Sequence, residues 1–121
     1  MCDKISLTNM MFYGFHGVYE YEREQGQKFY VDVDICTDLQ TAGNTDAVAD
    51  TIDYTVVYGR VKEIIENRRF KLLEALGAHI GDCILDVAPV SSVTVRIRKP
   101  AVPLAGSIDY VQVQITRNAK Q

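Results

Sequence analysis

The 121-residue sequence predicts an α+β domain: a four-stranded antiparallel sheet with two helices on one face. Three observations lead there. Alternating apolar residues mark two strands early in the chain and two late, and two stretches of helical spacing lie between them, so the order is ββααββ. The links within each strand pair fit antiparallel neighbours. The composition, 47% hydrophobic and 24% charged, suits one domain over residues 1–121 that buries about two thirds of its unfolded surface without staples.

In the first strand Ile5, Leu7, Asn9, Met11, Tyr13 and Phe15 share one parity, with Lys4, Ser6 and Thr8 opposite. From Met10 onward both parities are apolar, so its second half is expected to be covered on both sides. GFHGV turns the chain through Gly14 and Gly17, and the acidic YEYEREQGQ reads as a hairpin loop. In KFYVDVDICTDL, Phe29, Val31, Val33 and Ile35 face a core and Asp32 and Asp34 face away. TAGNTDAVADTIDY is a polar connector with one helical turn near Asp46–Asp50. The first helix spans Thr55–Asn67, with the stripe Val57, Val61, Ile64 and Ile65 and a cap at Asp53 or Thr55. The second runs from about Leu72 to Asp86 on the stripe Leu72, Leu76, Ile80, Cys83 and Val87, and Pro89 ends it. SSVTVRIRKP is strand three, AVPLAGSID a loop, and YVQVQITR strand four with Val111, Val113 and Ile115 inward. Such a sheet has two open edges, which invite pairing with other chains, so an oligomer built by sheet extension is expected.

Net charge is −3 and no basic cluster is interleaved with aromatics, which argues against a nucleic-acid partner. Cys2, Cys36 and Cys83 are odd in number and scattered, so neither a disulfide framework nor a cysteine zinc site is expected, and a reducing compartment fits. MCDKISLTNM lacks a signal-peptide pattern, and no run nears the roughly 18 apolar residues of a membrane span. The expected location is the cytoplasm. His16 and His79 are too few for a three-histidine metal site, and HExxH, phosphate-loop and GxSxG patterns are absent, so no metal site is expected.

Three residues carry chemistry on pattern alone. Lys99 ends the apolar face Val93, Val95, Ile97. It is either a snorkelling side chain, its stem packed and its ammonium in water, or a partly desolvated amine able to act as a general base. Pro100 stops the strand beside it. Tyr54, before the first helix, either plugs the helix start or offers a phenol to a ligand. Glu74 falls on the back of the second helix with Gly77, Ala78 and Gly81; it is either a solvated first-turn glutamate or an acceptor for a planar pair of N–H donors. Glu20, Glu22 and Glu24 read as a solvated acidic run.

Taken together, FYGFHGVYEYEREQGQKFYVDV (residues 12–33), DTIDYTVVY (50–58), LLEALG (72–77) and VRIRKPAVPLAG (95–106) resemble the dihydroneopterin aldolases of folate biosynthesis. The resemblance implies the ββααββ tunnelling fold. It also implies four chains joined into a ring by sheet extension, two rings stacked into an octamer, and active sites between neighbouring chains. It implies metal- and cofactor-free retro-aldol cleavage of 7,8-dihydroneopterin, with 2′-epimerisation as a side reaction. Residue by residue, Glu74 matches the glutamate that grips the aminopyrimidine edge, with backbone groups near Leu73 and Ile52 adding ring contacts. Lys99 matches the catalytic lysine, acting without a covalent adduct. Tyr54, from the adjacent chain, matches the tyrosine that protonates the enol intermediate, and Glu22 the glutamate that meets both Lys99 and the pterin. The alternatives are a dihydroneopterin triphosphate 2′-epimerase, whose triphosphate wants extra cations at the pocket mouth, and a pterin-binding or scaffold domain without catalysis. Zinc-dependent tunnelling-fold enzymes need Cys and His sets that this sequence lacks.

Overall fold

The clean alternation of β2 (Gln27–Thr37) and β3 (Ser92–Lys99) sets the architecture, because Phe29, Val31, Val33, Ile35, Val93, Val95 and Ile97 are all buried on one sheet face. The structure, a computed structural model, describes residues 2–120. β1 (Asp3–Gly14), β2, β3 and β4 (Val111–Asn118) form one antiparallel sheet in that order. The helices α3 (Tyr54–Asn67) and α4 (Leu73–Val87) bury their apolar stripes in the same core; α3 lies over β1, and α4 over β3 and β4. Asp53 caps α3, its Oδ1 accepting from the Thr55 N–H at 3.0 Å.

Four expectations need correction. First, β1 does not keep one parity. A bulge between Leu7 and Met10 holds Asn9 at φ 58°, so Ile5 and Leu7 face the core before it and Met10 and Phe12 after it. Met11 and Tyr13 point to the other face and stay about half exposed in the single chain. Second, part of the loop after β1 is helical, as α1 (Glu20–Gln25), and the connector after β2 begins with α2 (Gln40–Thr45), closed by Asp46 in the left-handed region. The helical turn expected near Asp46–Asp50 is a 3-10 turn at Val48–Asp50. Third, Gly77 and Gly81 lie on the sheet-facing side of α4. A Cβ on Gly77 would stand 3.0 Å from Ile115 Cγ1, and one on Gly81 3.0 Å from Arg117 Cγ. The glycines let the helix settle onto β4, while Leu72, placed in the stripe by spacing, is 49% exposed. Fourth, Cys2 and Cys36 form a disulfide. β1–β2 pairing sets Lys4 opposite Cys36 and brings the two cysteine Cα atoms to 5.5 Å, within bridging range. That proximity is a cross-strand fact that cysteine spacing along the chain does not reveal. Cys83 is free.

On the sheet face away from the helices, Asp32 and Asp34 pair with Arg98 and Arg96 at 2.6 and 2.7 Å. The Arg98 hydrogen bonds hold the Asp32 carboxyl at about 2, against the opposing push of burial. Asn9 joins this network, its N–H donating to Asp32 Oδ1 at 2.7 Å and its Oδ1 accepting from Arg98 at 2.9 Å.

Candidate active site

Lys99 closes the apolar face of β3, and the strand delivers its stem into the core rim. The residue is 8% exposed and its ammonium makes an ion pair with Glu22, itself 5% exposed. The snorkelling reading therefore fails, and so does the solvated reading of Glu22; Glu20 and Glu24 are exposed. Helix α1 aims Glu22 inward. Its Oε1 accepts from the Tyr19 N–H at 3.3 Å and its Oε2 from the Gln27 amide at 3.4 Å. Gly17 leaves the room it needs, since a Cβ there would sit 2.5 Å from Glu22 Cδ. Burial alone would push the Glu22 carboxyl up. The hydrogen bond from Lys99 and the Tyr19 N–H, the Lys99 charge and Gln27 outweigh it, so Glu22 is held below the ordinary carboxylate value. A cavity of about 290 Å³ adjoins the pair, lined by Glu22, Gln25, Gln27, Val102 and Pro103 among others. Gln27 Oε1 is buried there without a hydrogen-bond partner among the described residues. Nothing along the chain signals this, because QGQ reads as loop.

Glu74 and Leu73 belong to the same end of the molecule. Gly77 packs by Ile97 and Ile115, and one turn later Gly81 packs by Val93 and Arg117. Helix α4 thus runs antiparallel to β3 and starts at the Lys99 end. Leu73 is buried and Glu74 is exposed in the first turn, with no ion pair among the described residues. Its carboxylate is free to accept a planar N–H pair.

Ile52 and Tyr54 lie at the opposite end. Ile52 abuts Val87 and Pro89, where α4 finishes. With Tyr54 it lines an apolar groove of about 520 Å³ that includes Ile5, Leu39 and Val48. Ile52 is buried and Tyr54 is 62% exposed. A helix of 15 residues separates the two ends by about 22 Å. One chain therefore unites Glu22, Lys99, Leu73 and Glu74 at one end and leaves Ile52 and Tyr54 at the other.

In the sequence His16 reads as a turn residue and as one of too few histidines for a metal site. It is fully buried, with both ring nitrogens hydrogen-bonded to backbone. Among the described residues no group of three or more His, Cys, Asp and Glu side chains is placed to hold a metal.

Residues 5–116 match the family model described as FolB, dihydroneopterin aldolase. A dihydroneopterin aldolase of Bacillus subtilis (strain 168) is 40% identical over 116 residues, covering 95% of this chain and 97% of that protein. A Vibrio cholerae protein whose crystal structure is described as a dihydroneopterin aldolase is 34% identical, with a TM-score of 0.89 over 98% of each chain. The structure of Escherichia coli dihydroneopterin aldolase in complex with neopterin is 25% identical, with a TM-score of 0.88 over 96% of this chain and 99% of that one.

Proposed function

The chain belongs to the dihydroneopterin aldolase family, and from that premise we propose that it splits 7,8-dihydroneopterin into 6-hydroxymethyl-7,8-dihydropterin and glycolaldehyde in folate biosynthesis. The observation that carries the reading is the buried Lys99–Glu22 pair beside a cavity, at the end of the sheet where α4 presents Glu74.

The chemistry follows from those groups. Glu74 takes the planar N–H edge of the pterin as a charge-assisted acceptor. The Lys99–Glu22 pair relays the proton from the 2′-hydroxyl through water. The C1′–C2′ bond then breaks, C2′ leaves as the aldehyde carbon of glycolaldehyde, and the electron pair enters the ring imine of the substrate. Lys99 forms no covalent bond. A proton returned to C1′, with the Tyr54 phenol assisting, completes the hydroxymethyl product. Re-addition of glycolaldehyde on the other face before release gives the 2′-epimer as a side product.

Tyr54 reaches this site only from a second copy, because within one chain it sits a helix length away. The open β1 and β4 edges support a ring of four chains, and two rings an octamer, with each site between neighbours. The triphosphate epimerase reading gains nothing from Arg96 and Arg98, which are engaged by Asp32 and Asp34 on the far sheet face. No described helix is long and apolar enough to cross a membrane. A cytoplasmic location is part of the proposal, and there the Cys2–Cys36 bridge would be open to reduction.

Glycolaldehyde release from 7,8-dihydroneopterin, assayed with and without a chelator, tests the function. Equal release in both is expected. No release, alongside turnover of the triphosphate, would replace the aldolase by the epimerase.

A further inference from the structure

His16 takes no part in the proton transfer described above, yet it is fully buried and tied to three segments. Its Nδ1 accepts from the Phe70 N–H at 3.1 Å, which leaves the proton on Nε2, and Nε2 donates to the Ile65 carbonyl at 2.8 Å. The Gly17 N–H donates to the Phe70 carbonyl at 2.9 Å, so the turn and the α3–α4 connector are bonded twice at one residue. Phe29 and Phe70 flank the imidazole at 5.2 and 5.8 Å, and Gly14 admits it, since a Cβ there would lie 2.9 Å from the ring.

What this joint connects is specific. On one side, Gly17 abuts the Glu22 side chain and leads into α1, which carries it. On the other, Phe70 lies three residues before Leu73, where α4 starts. We propose that His16 is a positioning residue: through its bond to the Phe70 N–H it fixes Leu73 and Glu74, which hold the pterin ring, relative to the Lys99–Glu22 pair, which handles the proton. This rests on the pterin reading given above. The two bonds of the ring differ in role. The donor bond to Ile65 anchors the end of α3, and only the acceptor bond reaches the segment that leads to Glu74.

Two near-isosteric amides separate them. His16→Asn places an oxygen where Nδ1 stands and keeps an acceptor for Phe70. His16→Gln places its N–H where Nε2 stands and keeps only the donor to Ile65. Neopterin binding is measured by titration on the wild type and both variants, beside melting curves and KM and kcat. The Asn variant is expected to bind within about threefold of the wild type. The Gln variant is expected to bind roughly tenfold more weakly, one buried N–H being left without an acceptor, with the loss larger in KM than in kcat. Phe70→Pro, which deletes the N–H donor and leaves His16 in place, is expected to repeat the Gln result should the His16 variants fail to fold. A merely structural role would move the two affinities together with the melting temperatures. Equal affinities for the Asn and Gln variants, or wild-type affinity in Phe70→Pro, would overturn the inference while the wild type still binds neopterin. Absence of binding by the wild type itself would overturn the pterin reading and this inference with it.

Discussion

The two ends of α4 are built differently. At its start a lysine and a glutamate are buried and mutually paired, hydrogen bonds hold the carboxylate on several sides, and a clamped histidine joins the surrounding loops. At its end Tyr54 is largely exposed, over an apolar groove that none of the described residues fills. A buried ion pair is costly to assemble and costly to break from one side, so the first end is preorganised and complete within one chain. The second has the composition of a contact surface, an aromatic with a polar tip over apolar lining. On the proposed function, the contrast divides the site into two halves, one rigid and polar, the other completed by a neighbour.

The largest effect that sharpens this contrast is expected from Lys99→Ala. Turnover should fall on the order of 10²-fold or more for a lost proton-transfer group, while neopterin affinity, measured by titration, stays near the wild-type value. Unchanged turnover would remove the rigid end from catalysis. Glu74→Ala should instead weaken binding by at least roughly 30-fold if the contact is dry in the complex, and titration with the same ligand reads it. A smaller effect concerns acid. Burial, partly opposed by the Ile65 hydrogen bond, lowers the His16 pKa from 6.5, and the Lys99 charge adds to the lowering. The unfolded chain then binds this proton more readily than the folded one. Stability from this group is full above about pH 6.5 and declines as pH falls below it. Melting temperature should drop by a few degrees between pH 7 and 5.5, whereas His16→Asn should be flat over that window. The smallest effect lies at the Tyr54 end, where Cys2 and Cys36 fasten the start of β1. Reduction of this bridge should raise the free-thiol count from one to three and leave activity intact.

Much of this was legible along the chain. The strands were readable because alternation is a local signal, and the place of Lys99 followed from the parity of β3. What escaped depends on partners far apart in sequence. The bulge at Asn9 is stabilised by Asp32 and Arg98 across two strands, so the parity of β1 alone misplaced Met11 and Tyr13. The buried face of α4 is not legible from spacing, because its glycines read as an outer surface, whereas Ile115 and Arg117 fill the space they leave. Glu22 looked like one of three solvated carboxylates until Lys99, brought from the other half of the chain, neutralised it. The function was legible only by resemblance, since no single residue pattern in this sequence specifies a pterin.

Subunit mixing tests the division of the site most directly. Lys99→Ala and Tyr54→Ala chains are each expected to be nearly inactive alone. Co-refolded in equal amounts, they should recover activity at about a quarter of the sites, those that draw Lys99 from one chain and Tyr54 from its neighbour. A mixture no more active than its components would show that each site takes both residues from one chain, and would contradict the account.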